Sequence, residues 1–285
     1  MTTLLEWLRR NLWAAFLAHQ LFVLASVVIF VTSVRQLTGR NIHLGQDPVG
    51  FPIGMALAVL SLAIIFMTNW YYRLLKVRGG NELGIAFSRR RFLDLVVGFI
   101  LGALFFSAPL LIALWQGNAH VSDRIDAHFD LATIVAVLSG AALLLLLQAA
   151  TEETTNRAFP MRIWEHRSLL FRLLIPSAFF VVIHLVSETF GIERVIVLLM
   201  AGIVHGLAFA LTGNIWLTTG LHWGANVAGF SMSGFWHAGA VVNVVGQPAL
   251  PVWAMGSIML ALLSLGLLVK HQFAKGHASH PSANA

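Results

Sequence analysis

Long apolar runs separated by short polar segments dominate the pattern of this chain. Four of them are almost free of charge and cover 12–34, 51–72, 92–115 and 131–150. Four further runs are shorter or carry more polar residues and cover 169–186, 195–211, 215–232 and 252–269. A helix needs about 20 predominantly apolar residues to cross a bilayer. The pattern therefore predicts an all-α polytopic membrane protein with about eight transmembrane helices.

The composition leaves no room for a soluble domain. The 285 residues are 58% hydrophobic and 11% charged, with a mean hydropathy of +0.80, whereas soluble domains are about 25% charged. We expect a single membrane domain over 1–285, with an outer loop at 116–130 and a disordered polar tail at 271–285. The lack of cysteine excludes disulfides, thiolate metal ligands and a cysteine nucleophile.

Membrane orientation explains the net charge of +6 better than nucleic-acid binding does, because the basic residues lie between apolar runs and form no basic stripe. With a cytoplasmic amino terminus, 14 of the 18 lysines and arginines lie inside, and only Arg35, Arg40, Arg124 and Arg194 lie outside. The positive-inside rule then predicts that both termini are cytoplasmic and that the number of spans is even. Since the chain carries no KDEL-type signal, we expect a bacterial cytoplasmic membrane.

Ionisable residues beside apolar runs are costly unless they are paired or hydrated, so they mark candidate sites. Glu152, Glu153 and Arg157 follow the leucine-rich end of the fourth run. Glu153 and Arg157 are four residues apart and can form an ion pair on one helix face, whereas Glu152 points about 100° away. The pattern fits a free carboxylate at Glu152 acting as a general base, or two interfacial acids at a helix end.

Two histidines in later runs are further candidates. His184 lies near the end of the fifth run, with Glu188 one turn later as an orienting partner. His222 and Asn226 lie side by side on one face of the seventh run. Taken singly, each of these groups is also explained by packing or by hydrogen bonding between helices.

Small residues in the sixth and seventh runs predict close helix packing. Gly202 and Gly206 form a GxxxG motif beside His205, which we interpret as a packing groove rather than a site. Gly220 and Gly224 lie on either side of His222 and allow another helix to approach closely.

Taken together, the polar groups match the roles that hydrolysis of an amide requires. A carboxylate can activate water, while two histidines and a carboxamide can polarise the carbonyl and stabilise the oxyanion. No GxSxG, P-loop or HExxH motif offers a rival site. A non-catalytic membrane immunity or scaffold protein and a proton-coupled transporter remain alternatives, because both can carry buried polar networks.

These residues resemble the motifs of a known family, the CAAX prenyl protease and bacteriocin-processing intramembrane endopeptidases, also called CPBP or Abi. Its pattern of EExxxR, FxxxH and HxxxN on successive membrane helices reads here as Glu152–Arg157, Phe180–His184 and His222–Asn226. The resemblance covers 131–232, which would form the catalytic core helices. The chain departs from the family around the arginine, where Thr155 and Asn156 precede it and Ala158 follows.

The resemblance implies an endopeptidase that cleaves a membrane-associated protein or peptide, with a prenylated CAAX-type substrate as one candidate. Glu152 would activate water with help from His184, and His222 and Asn226 would stabilise the oxyanion. Glu153 and Arg157 would support the site. It also implies a water-accessible intramembrane cavity that opens toward the cytoplasm.

The family has been described both as metalloproteases and as metal-free, glutamate-dependent proteases. If a metal is present, Glu152, His184 and His222 would be its ligands, and zinc would be the ion. We favour the metal-free form because no two histidines have close ligand spacing and Asn226 beside His222 suits a pair of hydrogen-bond donors.

The depth of the site depends on the turn between the fourth and fifth runs. Glu152 ends a run that heads inward and His184 ends one that heads outward. The two come level only if the turn lies midway, near Ser168, about 24 Å along each helix at 1.5 Å per residue. The stretch 159–167, with a kink expected at Pro160, would then extend the helix or fold back beneath the site.

Overall fold

The computed structural model describes residues 3–39, 51–76, 82–124, 129–185, 191–232, 242–246, 254, 256–261 and 263–264. Its helices are α1 (Leu4–Arg10), α2 (Leu12–Thr38), α3 (Phe51–Leu75), α4 (Arg89–Trp115), α5 (Leu131–Glu153), α6 (Phe159–Ile163), α7 (Leu169–Leu185), α8 (Ile192–Thr212) and α9 (Trp216–Met232). Its strands are β1 (Ala119–Arg124) and β2 (Val242–Gly246). A π-helical turn at Thr154–Ala158, called the π turn below, joins α5 to α6.

Five helical stretches are long and apolar enough to cross a membrane: Leu12–Thr38, Pro52–Leu75, Arg89–Trp115, Leu131–Ile163 and Ile192–Thr212. Leu169–His184 is a shorter apolar helix, and α9 has 17 residues. The predicted all-α membrane class is confirmed. Eight spans stay a prediction, because much of 252–269 and all of 271–285 lie outside the described residues.

Side-chain caps mark where two of the long helices begin. The Ser88 hydroxyl accepts the backbone N–H of Arg91 at 3.3 Å at the start of α4. The Asp130 carboxylate accepts the backbone N–H of Thr133 at 2.7 Å at the start of α5. This hydrogen bond to the Thr133 backbone lowers the pKa of Asp130. Both residues are therefore N-caps that satisfy an otherwise unpaired amide.

β1 and β2 form a two-stranded antiparallel sheet in which Ala119 lies opposite Gly246. The register is irregular between Val121 and Asp123. The connection predicted over 116–130 therefore contains a strand, β1. The sequence around β1 gave no sign of the pairing, because its partner strand follows α9, far along the chain.

α4 and α9 pack with their backbones in contact. A Cβ added at Gly98, Gly102, Gly220 or Gly224 would lie 2.0–2.3 Å from a carbonyl oxygen of the opposite helix. Real Cβ atoms essentially never come that close, so only glycine fits at these four positions. The close approach predicted from Gly220 and Gly224 is confirmed, and α4 is the helix that approaches.

α8 packs closely against α7 in the same manner. A Cβ at Gly202 would lie 2.7 Å from the Ser177 side chain, and one at Gly206 would lie 2.7 Å from the Leu173 side chain. The GxxxG packing groove predicted on this helix is therefore confirmed.

The reversal of the chain between α6 and α7 determines the depth of the candidate site. α6 ends at Ile163 and α7 begins at Leu169. The chain therefore reverses next to Ser168, the position at which Glu152 and His184 come to the same depth. The chain stays helical past Glu152 because the π turn and α6 extend α5, and Phe159 and Ile163 are fully buried. Glu152 consequently lies inside a long helical stretch and comes level with His184.

Candidate active site

Pro160 explains why the helix widens into a π turn after the two glutamates. Proline lacks an N–H, and its ring conflicts with the carbonyl of the residue four positions earlier, here Asn156. The Phe159 N–H donates to the carbonyl of Thr154, five residues back, instead of four as in an α-helix. Such π-bulges occur frequently at functional sites.

Side chains satisfy the carbonyl groups that the π turn leaves without helical donors. The Gln20 side chain of α2 donates its Nε2 to the carbonyl of Thr155 at 3.2 Å. Arg157 donates its Nη1 to the carbonyl of Asn156 at 3.0 Å. The widened turn is thus held by one residue of its own and by one from a distant helix.

Glu153 is fully buried and is the acceptor at the centre of a hydrogen-bond network. Its Oε1 accepts from Nδ1 of His205 at 3.0 Å and from Nδ1 of His222 at 2.9 Å. Its Oε2 accepts from the Thr218 hydroxyl at 2.6 Å. The Nε of Arg157 lies 3.8 Å from Oε2, so the predicted ion pair between Glu153 and Arg157 is confirmed.

His205 belongs to this network, although sequence analysis interpreted its surroundings as a packing groove. The glycines beside it do pack as predicted, but its imidazole bonds to a carboxylate on another helix. A histidine within an apolar run is itself costly unless it is paired. That criterion, which singled out His184, could also have found His205.

Glu152 differs from its neighbour because one of its oxygens has no hydrogen bond. Its Oε1 accepts from Nε2 of Gln148 at 3.0 Å. Its Oε2 is buried and has no hydrogen-bond partner within the described part of the chain. That oxygen lies 3.8 Å from Nε2 of His222 and 3.9 Å from Nε2 of His184. Both distances exceed direct hydrogen bonding, so Oε2 lies near two imidazole nitrogens without bonding to either.

The other nitrogen of each imidazole fixes how the ring is presented to Glu152. His184 Nδ1 lies 2.8 Å from the carbonyl of Phe180, and His222 Nδ1 lies 2.9 Å from Glu153. Because a carbonyl and a carboxylate oxygen only accept, Nδ1 is the donor in both bonds. In both rings Nε2 is therefore the nitrogen that faces Glu152.

Phe180 connects two of the motifs. The Arg157 guanidinium lies over its ring at 4.4 Å from the centroid. The His184 ring packs on it with a centroid separation of 4.2 Å. The aromatic residue one turn before the histidine thus contacts both the guanidinium and the imidazole.

Two predicted residues do not join these contacts. Asn226 is half-buried on α9, one turn beyond His222, and forms no side-chain hydrogen bond with the described residues. Its role in oxyanion stabilisation stays a prediction. Glu188, the expected partner of His184, lies outside the described residues.

A Glu/His/His group that could hold a metal is present, but it is not the predicted one. Among the described residues, Glu153, His205 and His222 bring one ligand atom each within 4.8 Å of the others. These atoms already bond to one another, and Arg157 places a positive charge beside the carboxylate. A divalent ion there would have to displace two N–H protons and lie next to a guanidinium. This group therefore fits a hydrogen-bond network better than a metal site.

Residues 133–228 match the family model of the Rce1-like type II CAAX prenyl endopeptidases. The predicted resemblance is confirmed over this Rce1-like segment, which contains all three motifs. No curated protein and no solved structure matches the chain.

The apolar helices indicate an integral membrane protein, and its segment 133–228 is similar to the CAAX-type prenyl endopeptidases. Helices α1 to α4 lie outside the Rce1-like segment. Three of these helices nevertheless contact it. α2 supplies Gln20 to the π turn, the Ser61 carbonyl of α3 accepts from the Thr151 hydroxyl, and α4 packs against α9.

Proposed function

We propose that the protein is an intramembrane endopeptidase that hydrolyses a peptide bond of a membrane-associated, CAAX-type substrate, with Glu152 as the general base. The observation that carries the proposal is the buried, unbonded Oε2 of Glu152 between Nε2 of His184 and Nε2 of His222. The family of the Rce1-like segment supports the reaction class and the kind of substrate.

Water would bind in front of Glu152 and donate a hydrogen bond to Oε2, with His184 helping to orient it. The separation of 3.9 Å between Oε2 and Nε2 of His184 is too long for a direct hydrogen bond. The water oxygen then adds to the scissile carbonyl carbon while Glu152 takes the proton. When the intermediate collapses, Glu152 passes that proton to the leaving amine, and the carbon–nitrogen bond breaks.

The negative charge that develops on the carbonyl oxygen needs donors on the opposite side. His222, when protonated, offers Nε2–H to the oxyanion, while the carboxylate at its Nδ1 balances the charge of the ring. Asn226, one turn along α9, offers a carboxamide N–H on the same face. In this mechanism Glu153, His205 and Thr218 position His222 and do not react themselves.

We favour this metal-free mechanism over one in which zinc supplies the activated water. Glu152, His184 and His222 have the donor types that zinc takes. Tetrahedral ligands about 2.1 Å from zinc are separated by about 3.4 Å, whereas the carboxylate oxygen lies 3.8 and 3.9 Å from the two nitrogens. A water molecule with two hydrogen bonds of about 2.8 Å separates its partners by about 4.4 Å, so the spacing lies between the two cases. The donor pair of His222 and Asn226 is what favours the metal-free form.

Glu152→Gln tests the proposal, because the amide keeps the shape of the side chain and cannot take a proton. We expect cleavage of a prenylated peptide ending in C-a-a-X, reconstituted with the protein in liposomes, to fall by at least about 100-fold. The matched control is Glu193→Gln, which removes an exposed acid from the first turn of α8.

Folding is checked by the thermal unfolding of both variants in detergent. A folded Glu152→Gln protein that cleaves at more than a tenth of the wild-type rate would refute the general-base role. A scaffold protein would keep its cellular phenotype in this variant, and a proton-coupled transporter would lose flux without any peptide being cleaved.

A further inference from the structure

A cavity of about 340 Å³ lies between the α1–α2 junction and the α6–α7 turn, away from the glutamates. Its walls include three tryptophans, Trp7, Trp13 and Trp164, and two arginines, Arg10 and Arg167. No acidic residue lines it among the described residues. The cavity therefore combines aromatic walls with uncompensated positive charge.

The cavity lies where two membrane spans end on the same side. The span Leu12–Thr38 begins next to it, and the span Leu131–Ile163 ends one residue before Trp164. Tryptophans are enriched at this boundary, because their rings are apolar and their N–H groups are polar. The position corresponds to the level of lipid headgroups, on the face that the distribution of basic residues predicts to be cytoplasmic.

The two arginines lack acidic partners, because the nearby acids are used elsewhere, and Arg167 contacts only the Phe171 ring, at 5.7 Å from its centroid, among the described side chains. Arg10 and Arg167 are exposed, and neither forms an ion pair within the described ranges. Glu6 accepts the backbone N–H of Thr3 at the start of α1. Glu165 pairs with Arg162 at 3.3 Å. The two guanidiniums therefore face one cavity with no anion from the chain to neutralise them.

Other contacts hold the walls of the cavity in place. Arg9 donates both Nε and Nη2 to the carbonyl of Leu74, at 3.0 and 2.9 Å, and so fixes α1 against the end of α3. The rings of Trp13 and Trp164 lie 4.8 Å apart, and Trp164 is fully buried. The site is thus formed before any ligand arrives, which lowers the entropic cost of binding.

We infer that this cavity binds the headgroup phosphate of an anionic phospholipid, with the acyl chains against Trp7 and Trp13. These two tryptophans are 48% and 42% exposed, and such apolar surface at a membrane boundary suits acyl chains better than water. Two cations without a carboxylate favour a headgroup with net negative charge. A choline headgroup would bring its own cation toward the arginines.

The test uses the purified full-length protein in detergent and native mass spectrometry of the lipid that it retains. Phosphatidylglycerol, phosphatidylcholine and inorganic phosphate are titrated separately. We expect tighter binding of phosphatidylglycerol than of the other two. Each arginine near anionic lipid contributes roughly fivefold in affinity, so Arg10→Gln/Arg167→Gln is expected to weaken binding on the order of 25-fold.

The matched control is Arg89→Gln/Arg90→Gln, which removes two exposed arginines at the start of α4, outside the cavity. Its affinity for phosphatidylglycerol is expected to stay within about twofold of wild type. Equal weakening in both double variants would show diffuse surface charge and overturn the inference. Equal retention of the two lipids, or inorganic phosphate competing at the same concentration, would overturn it as well. Cleavage activity plays no part in this readout, so it is independent of the proposed function.

Discussion

The backbone contact between α4 and α9 makes the position of His222 depend on a glycine outside the Rce1-like segment. In Gly102→Ala, the new Cβ would lie 2.0 Å from the carbonyl oxygen of Leu221, the residue before His222. This neighbour is backbone and cannot rotate away as a side chain could. The two helices must therefore separate for the methyl group to fit.

The size of that movement follows from the contact itself. Ordinary Cβ contacts begin at 3.4 Å, so the gap must widen by about 1.4 Å from its value of 2.0 Å. A shift of this size would carry His222 out of its 2.9 Å hydrogen bond with Glu153. Misplacing a catalytic group by about 1 Å can cost about 100-fold in rate, and overpacking costs about 1–3 kcal/mol in stability.

We expect Gly102→Ala to lower kcat for the prenylated peptide by about 100-fold, measured in liposomes beside the thermal unfolding of the same preparation. Gly140→Ala is the matched control, because a Cβ at Gly140 on α5 meets no atom within 4 Å. The control should cleave at the wild-type rate. If Gly102→Ala cleaves and unfolds as the control does, the argument that the glycine contact positions His222 is wrong.

Further predictions concern the hydrogen bonds to the two glutamates and the need for a metal ion. Gln148→Leu removes the donor to Glu152 Oε1. A hydrogen bond to a charged group contributes about 1.5–3 kcal/mol, so kcat should fall roughly 10- to 100-fold while KM changes little. An unchanged kcat would contradict this expectation. Thr218→Val leaves Glu153 Oε2 without its hydroxyl donor and should lower the free energy of unfolding by about 1.5–3 kcal/mol in denaturant titrations. A chelator should leave cleavage unchanged; reversible inactivation together with stoichiometric zinc in the purified protein would favour the metal mechanism.

The features that the sequence predicted correctly rest on the cost of polarity in an apolar setting. Hydropathy located α4 to within three residues, because the 92–115 run is bounded by the arginines at 89–91. The spacing of Glu153 and Arg157 predicted their ion pair despite the π turn between them. The chain length on either side of Ser168 stated the condition for Glu152 and His184 to come level, and the start of α7 at Leu169 meets it.

The features that the sequence did not reveal depend on contacts between distant segments. Gln20 and Gly102 lie in runs recognised only as apolar, and their roles require knowing which helix each one touches. The bond from His205 to Glu153 depends on how α8 is rotated, which periodicity within one helix does not specify. Pro160 indicated a kink, but the π turn also needed donors from elsewhere in the chain.

The hydrogen bond from Gln20 to Thr155 limits how the candidate active site could be transplanted into another scaffold. A chain cut to residues 133–228 would contain all three motifs but would lack the amide that satisfies the Thr155 carbonyl. An unsatisfied buried acceptor costs about 1–3 kcal/mol, and the loss would fall on the turn that directly follows the two glutamates. A transplanted site would therefore have to include α2 in addition to residues 133–228.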